Sequence, residues 1–120
     1  MSRQSGSAAV EVALVLPLIL ALLLAVAEVA VVARTQLELV NGAREGARVA
    51  AVSPEPAEAV AAVQQVLGEL ATEARISVTR PHVVGESAVV AIVLHHRLVP
   101  FFFGGAGVEL RARAAMRVER

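Results

Sequence analysis

Residues 6–33 read GSAAVEVALVLPLILALLLAVAEVAVVA, and this stretch decides the architecture. From Val12 to Ala33 it runs 22 residues with one charge, Glu28. As a helix that is about 33 Å at 1.5 Å per residue, enough to cross a bilayer core about 30 Å thick. Pro17 lies inside the run. It removes one backbone hydrogen bond and favours a kink, which membrane helices tolerate better than soluble ones. Ahead of the run stands Glu11, five residues after Gly6. A carboxylate deep in hydrocarbon costs about 2–3 kcal/mol, less near the interface. Its presence there needs a compensating partner.

Composition narrows the rest. The 120-residue chain has room for one small domain beside the apolar helix. Hydrophobic residues make up 57% of it and the mean hydropathy is +0.68, values that point to a membrane segment. Eleven basic and eleven acidic residues leave a net charge of zero, so no overall field holds the chain on nucleic acid. Every cation is Arg and every acid is Glu. The absence of Cys removes disulfides, thiolate metal sites and cysteine nucleophiles together.

Three readings of residues 1–33 stand open. Ala25-Val26-Ala27 ahead of Glu28 matches a small-x-small cleavage site, so the chain reads as a soluble secreted protein released by signal peptidase after Ala27. An unprocessed single-span anchor with a partner-binding domain explains the length and leaves Glu11 unexplained. The third reading uses the whole pattern. A short polar leader, Met1 to Gly6, ends in Gly, and Ser7-Ala8-Ala9-Val10 and Glu11 precede the apolar helix. This resembles the prepilin signature, which implies cleavage after Gly6 by a prepilin peptidase, with Ser7 as the new first residue. It also implies a charge pair between Glu11 and an N-terminal amine, within a subunit or between neighbours. Two ions that are each costly in hydrocarbon offset one another when paired. Counting basic residues, Arg3 on one side against Arg34, Arg44 and Arg48 on the other, weakly favours the orientation opposite to that of a prepilin.

Beyond Ala33 the helical spacing continues through Leu37, Val40, Ala43 or Arg44, and Ala47, with Arg34 and Glu38 four apart. Nothing breaks it before Ser53-Pro54, so one helix is expected over about 7–52. Within it NGAREGARVAA, residues 41–51, repeats Gly42/Gly46, Ala43/Ala47 and Arg44/Arg48 at intervals of four. A Gly costs a helix about 1 kcal/mol relative to Ala, so two on one face mark close packing. The partner is either the chain's own soluble module or another subunit. An apolar helix after a Gly…Glu start, followed at this distance by AREGAR, resembles the TadE-like family, pseudopilins or minor pilins of tight-adherence, Flp-type, type IV pili. The closing AAMRVE strand is also similar to that family, whereas the centre is generic. Val12 stands where the major Flp pilins carry Tyr, and the chain is longer than they are. Both departures favour an accessory pilin. The resemblance implies an assembly protein for pilus biogenesis, adhesion and surface colonisation. Its partners would be the prepilin peptidase, other pilin and pseudopilin subunits, the assembly machinery and the membrane. Its N-terminus would be cytoplasmic and its C-terminal module outside, at the pilus or cell surface after assembly. In the helix, Gly42, Gly46, Arg44, Glu45 and Arg48 are the expected packing residues.

Ser53-Pro54-Glu55-Pro56 reads as a hinge. An amphipathic helix is expected over about 56–74, with Val60, Val63, Leu67, Leu70 and Ala74 on its buried stripe. Residues 76–79 alternate as a short strand, and 88–99 form a strand apolar on both faces, suited to a central position covered on two sides. From Val108 on, Leu110, Ala112, Ala114, Met116 and Val118 face one way and Glu109, Arg111, Arg113, Arg117 and Glu119 the other. The expected fold is α+β: a long N-terminal transmembrane, pilin-like helix carrying one helix on a three-stranded antiparallel sheet. In segments, residues 1–6 are a leader, 7–52 the long helix and 53–120 the extracytoplasmic module.

Chemistry is sparse. His95 and His96 face opposite sides of a strand, and His82 finds no Cys or Asp to complete a metal set. Gly104-Gly105-Ala106-Gly107 leads into a strand rather than a helix, so it is no phosphate loop. No nucleophile elbow or carboxylate dyad is recognisable. Neither an enzyme nor a cofactor is expected. Phe101, Phe102 and Phe103, three aromatics in a row, are expected to cap the core or to touch a partner or the membrane surface. The Arg-bearing outer face of the last strand reads as solvated.

Overall fold

The computed structural model describes residues 2–98 and 104–119. One helix, α1 (Ser2–Val52), runs 51 residues without a break and accounts for most of the molecule's 83 Å length. It is followed by α2 (Pro56–Leu67), a 3-10 turn (Gly68–Thr72), and strands β1 (Ala74–Thr79), β2 (Ser87–Arg97) and β3 (Gly107–Arg117). The strands form an antiparallel meander in the order β1-β2-β3. Ile76 faces Ile92 across β1–β2, and Ile92 faces Ala112 across β2–β3. This is the expected α+β arrangement. Phe101, Phe102 and Phe103 lie outside the described residues.

Local chemistry sets the ends of the helices. Pro54 disfavours helical backbone at Ser53 and closes α1. Its last carbonyls are taken up by neighbours. The Arg80 guanidinium donates to the Ala50 carbonyl at 2.7 Å, and the Glu119 N–H donates to that of Ala51 at 2.9 Å. A cation at a helix C-terminus also complements the dipole. Pro56 opens α2, with Glu58 in its first turn. Gly68, at φ 58°, ends it. The expected helix to residue 74 is therefore cut at Leu67. A left-handed glycine stops the α-helix, the chain tightens into a 3-10 turn, and Ala74 begins β1.

The core lies between the sheet, α2 and the upper half of α1. Leu39, Ala43, Ala47, Val63, Val90, Ile92 and Leu94 are its centre, and Ala50, Ala59, Ala88 and Val118 close its far end. Strand β2 runs antiparallel to α1, so Ile92 meets Gly42 and Val90 meets Gly46. The two spacings match: four helical residues rise about 6 Å and two strand residues about 6.6 Å.

Two expected faces are corrected. Arg44 and Arg48 are among the expected packing residues of α1, but both are exposed, as is Leu37. The buried stripe passes instead through Thr35, Leu39, Gly42, Ala43, Gly46, Ala47, Ala50 and Ala51. From Gly42 on, its small residues let the helix axis approach the sheet. The other correction concerns β2, which is central but covered on one side only. Ala88, Val90, Ile92 and Leu94 are buried, whereas Val89, Ala91 and Val93 remain half-buried on the far face. On β3, Leu110 and Ala112 face inward as expected, as does Val118 just beyond it, while Met116 is 40% exposed.

Candidate functional site

The lower half of α1 is where function must be sought, because most of it is exposed and lies outside the core among the described residues. Its most apolar window has a mean hydropathy of 2.8 and is 0% buried. Val12, Leu14, Leu20 and Leu22 are all more than half exposed, and at about 100° per residue they point in different directions around the helix. A helix apolar all round is stable when lipid or other helices surround it. It is long and apolar enough to cross a membrane once.

Gly6 and Ser7 lie in the first turns of this helix and are exposed, and nothing approaches within 4 Å of a Cβ built on Gly6. The backbone is already helical from Ser2, so the boundary between leader and helix expected at Gly6 is not a break in structure. Glu11 is exposed, beside Val12, Val15, Leu16 and Ile19, which form a shallow apolar depression around it. Among the described residues no cation pairs with Glu11. A carboxylate set in an apolar helix without a cation among the described residues is an obvious place for one from outside.

The AREGAR segment is placed differently. Gly42 and Gly46 face inward: a Cβ at Gly42 would touch Leu67 and Ile92, and one at Gly46 would meet Val63 and Val90. Their contact is with the chain's own module. Arg44 and Arg48 lie on the opposite, exposed side, with Glu45 half-buried beside them. Arg48 binds Glu45 at 2.6 Å. Hydrogen bonding from Arg48 holds the Glu45 carboxyl below its ordinary range, and the same bond raises Arg48. Both groups belong to the part of α1 beyond the apolar span.

One residue pair was not legible beforehand. Glu28, which reads in the sequence as an interruption of the apolar run, lies 3.2 Å from His96 Nε2, and both side chains are largely covered, at 14% and 21% exposure. The partners lie 68 positions apart, so no local pattern announces them. The alternation of β2 gave half the signal, since it puts His95 and His96 on opposite faces. His95 turns outward to Glu109, at 3.7 Å, and His96 inward to α1. His82 lies in the β1–β2 turn. Among the described residues no group of three or more His, Cys, Asp or Glu is placed to hold a metal ion. On the outer face of β3, Arg111 is paired with Glu109, while Arg113 and Arg117 are exposed.

Residues 6–48 match the family model described as TadE-like protein. The comparisons with curated proteins and with solved structures return no match. The matched span starts at Gly6, includes Glu11 and the apolar run, and stops at Arg48, the end of AREGAR. It leaves α2 and the sheet outside. The similarity to TadE-like proteins is therefore carried by this segment alone.

Proposed function

We propose that this protein is an accessory (minor) pilin or pseudopilin of a tight-adherence type IV pilus system. A prepilin peptidase removes Met1 to Gly6, α1 holds the protein in the cytoplasmic membrane, and the α+β module projects outside. During assembly the apolar half of α1 exchanges lipid for neighbouring pilin helices. The observation that carries this reading is Glu11: exposed, beside the apolar side chains of Val12, Val15, Leu16 and Ile19, and without a cation among the described residues. An N-terminal amine freed at Ser7, its own or that of an adjacent subunit, supplies the missing charge. The uninterrupted helix supports the reading as well, since a rigid rod couples a docking event at Glu11 to the module at its far end.

Mass spectrometry of the full chain expressed with its cognate peptidase tests this directly. Loss of the six-residue leader is the expected result. An intact N-terminus defeats the reading, and a product beginning at Glu28 replaces it with that of a secreted protein. The Glu11→Ala variant separates processing from assembly. Leader removal is expected to persist while pilus assembly and surface adherence fall. Undiminished assembly would remove the charge-pair role.

A further inference from the structure

The apolar span is shorter than it looks. Between Glu11 and Glu28 lie 16 residues, Val12–Ala27, about 24 Å of helix against a hydrocarbon core of about 30 Å. With Glu11 at one interface, the core extends to about Val31, past Glu28 and onto the level of the module's lower end. There Ala25, Glu28, Val29, Val32, Leu98 and Val108 line one open apolar groove. Leu98 directly follows β2 and Val108 lies at the start of β3. The β2–β3 hairpin is pinned by the Leu98 N–H donating to the Ala106 carbonyl at 3.1 Å and is tied to α1 by Glu28–His96. Leu98 is half-buried and Val108 37% exposed.

We propose that Leu98 and Val108 form a second membrane contact. They rest in the boundary between headgroups and acyl chains of the leaflet on the module's side. Two observations favour lipid as the occupant of the groove. It is continuous with the exposed apolar surface of α1, and that surface needs the groove's own helix positions to complete a bilayer span. The one charged side chain lining it, Glu28, is covered by His96 and so is not presented bare to hydrocarbon. The module thereby stands on the membrane at a fixed height and rotation, rather than swinging at the end of a rod.

The proposal rests on α1 crossing a membrane, and the test separates the two. The chain contains no Trp, so each introduced indole is a unique reporter. The full-length variants Leu98→Trp, Val108→Trp, Leu22→Trp and Val84→Trp are reconstituted into phosphatidylcholine–phosphatidylglycerol vesicles carrying lipids brominated at shallow or deep acyl positions. Leu22 lies mid-span and Val84 in the β1–β2 turn at the module's far end. The two hairpin variants, Leu98→Trp and Val108→Trp, are expected to emit at short wavelength. Shallow bromines should quench them several-fold more than the Val84→Trp variant, and deep bromines should quench Leu22→Trp best. Either hairpin reporter suffices if the other variant does not fold. Long-wavelength, unquenched emission from the hairpin reporters overturns the proposal, since the groove then faces water. Short-wavelength but unquenched emission also overturns it, in favour of a second copy covering the groove. Loss of quenching in the Leu22→Trp variant removes the membrane span itself and the proposal with it.

Discussion

Adding one methyl group at Gly46 tests how α1 is joined to the module. A Cβ built there lies closer than 3.0 Å to Val63 Cγ2 and at 3.2 Å from Val90 Cγ1. Val63 and Val90 are both fully buried, and a β-branched side chain in a filled core has few other rotamers to adopt. Overpacking of this kind costs about 1–3 kcal/mol. Replacing a helical Gly by Ala returns about 1 kcal/mol. The clash wins, and Gly46→Ala is expected to destabilise the module by about 1 kcal/mol, lowering its melting temperature by about 4–8 °C for a unit of this size. Gly42→Ala supplies the contrast. Its Cβ meets the flexible ends of Leu67 at 3.2 Å and Ile92 at 3.4 Å, so the helix-propensity gain decides and stability stays level or rises. The assay is thermal circular dichroism of the full chain in detergent, with hydrogen exchange of the β2 amides as a local probe. A Gly46→Ala protein that melts at or above the wild-type temperature would refute the reasoning. So would additivity with Val63→Ala, because deleting the clashing methyl must make the double variant more stable than the two single losses predict.

Further expectations follow from other contacts. Ile92→Ala truncates a fully buried side chain at the centre of the sheet and is expected to cost about 2–5 kcal/mol in the same melt, with loss of β2 amide protection. Arg80→Ala removes the donor to the Ala50 carbonyl and leaves the top of α1 less well closed. A loss of about 1–2 kcal/mol is expected, read first as faster exchange in the last turn of α1, and unchanged exchange there would deny the cap. For Glu45, the folded-state carboxyl is lowered by Arg48, so its small contribution is present above the ordinary carboxylate range and fades as pH falls through the lowered value. Carboxyl NMR titration of Arg48→Ala should move Glu45 back upward, and no movement would mean the pair does not persist in solution.

The sequence by itself determined whatever depends on short-range physics. The length and hydropathy of residues 12–33 specify a membrane-length helix, because each apolar residue contributes whatever its neighbours are. Pro54 and Pro56 mark the junction of α1 and α2, and alternation in 108–118 fixes a strand and its inward face, since both rest on backbone geometry. The positions of Gly6 and Glu11 were equally legible, being a spacing along the chain. Local reasoning failed where the competing forces were not local. The helix expected to residue 74 ended before Gly68, because the apolar stripe continues past it while the backbone there takes a positive φ. Arg44 and Arg48 read as packing residues of α1, yet the approach of β2 selects the small-residue face, and both are left outside. Only the tertiary structure decided that Gly42 and Gly46 are sites of contact with the chain's own module. Only the fold could show that Glu28 meets His96 across 68 positions. The reason is the same in both cases: a strand rising about 3.3 Å per residue beside a helix rising about 1.5 Å brings together residues whose pairing depends on register and direction. That register also sets Leu98 and Val108 beside Ala25 and Val29.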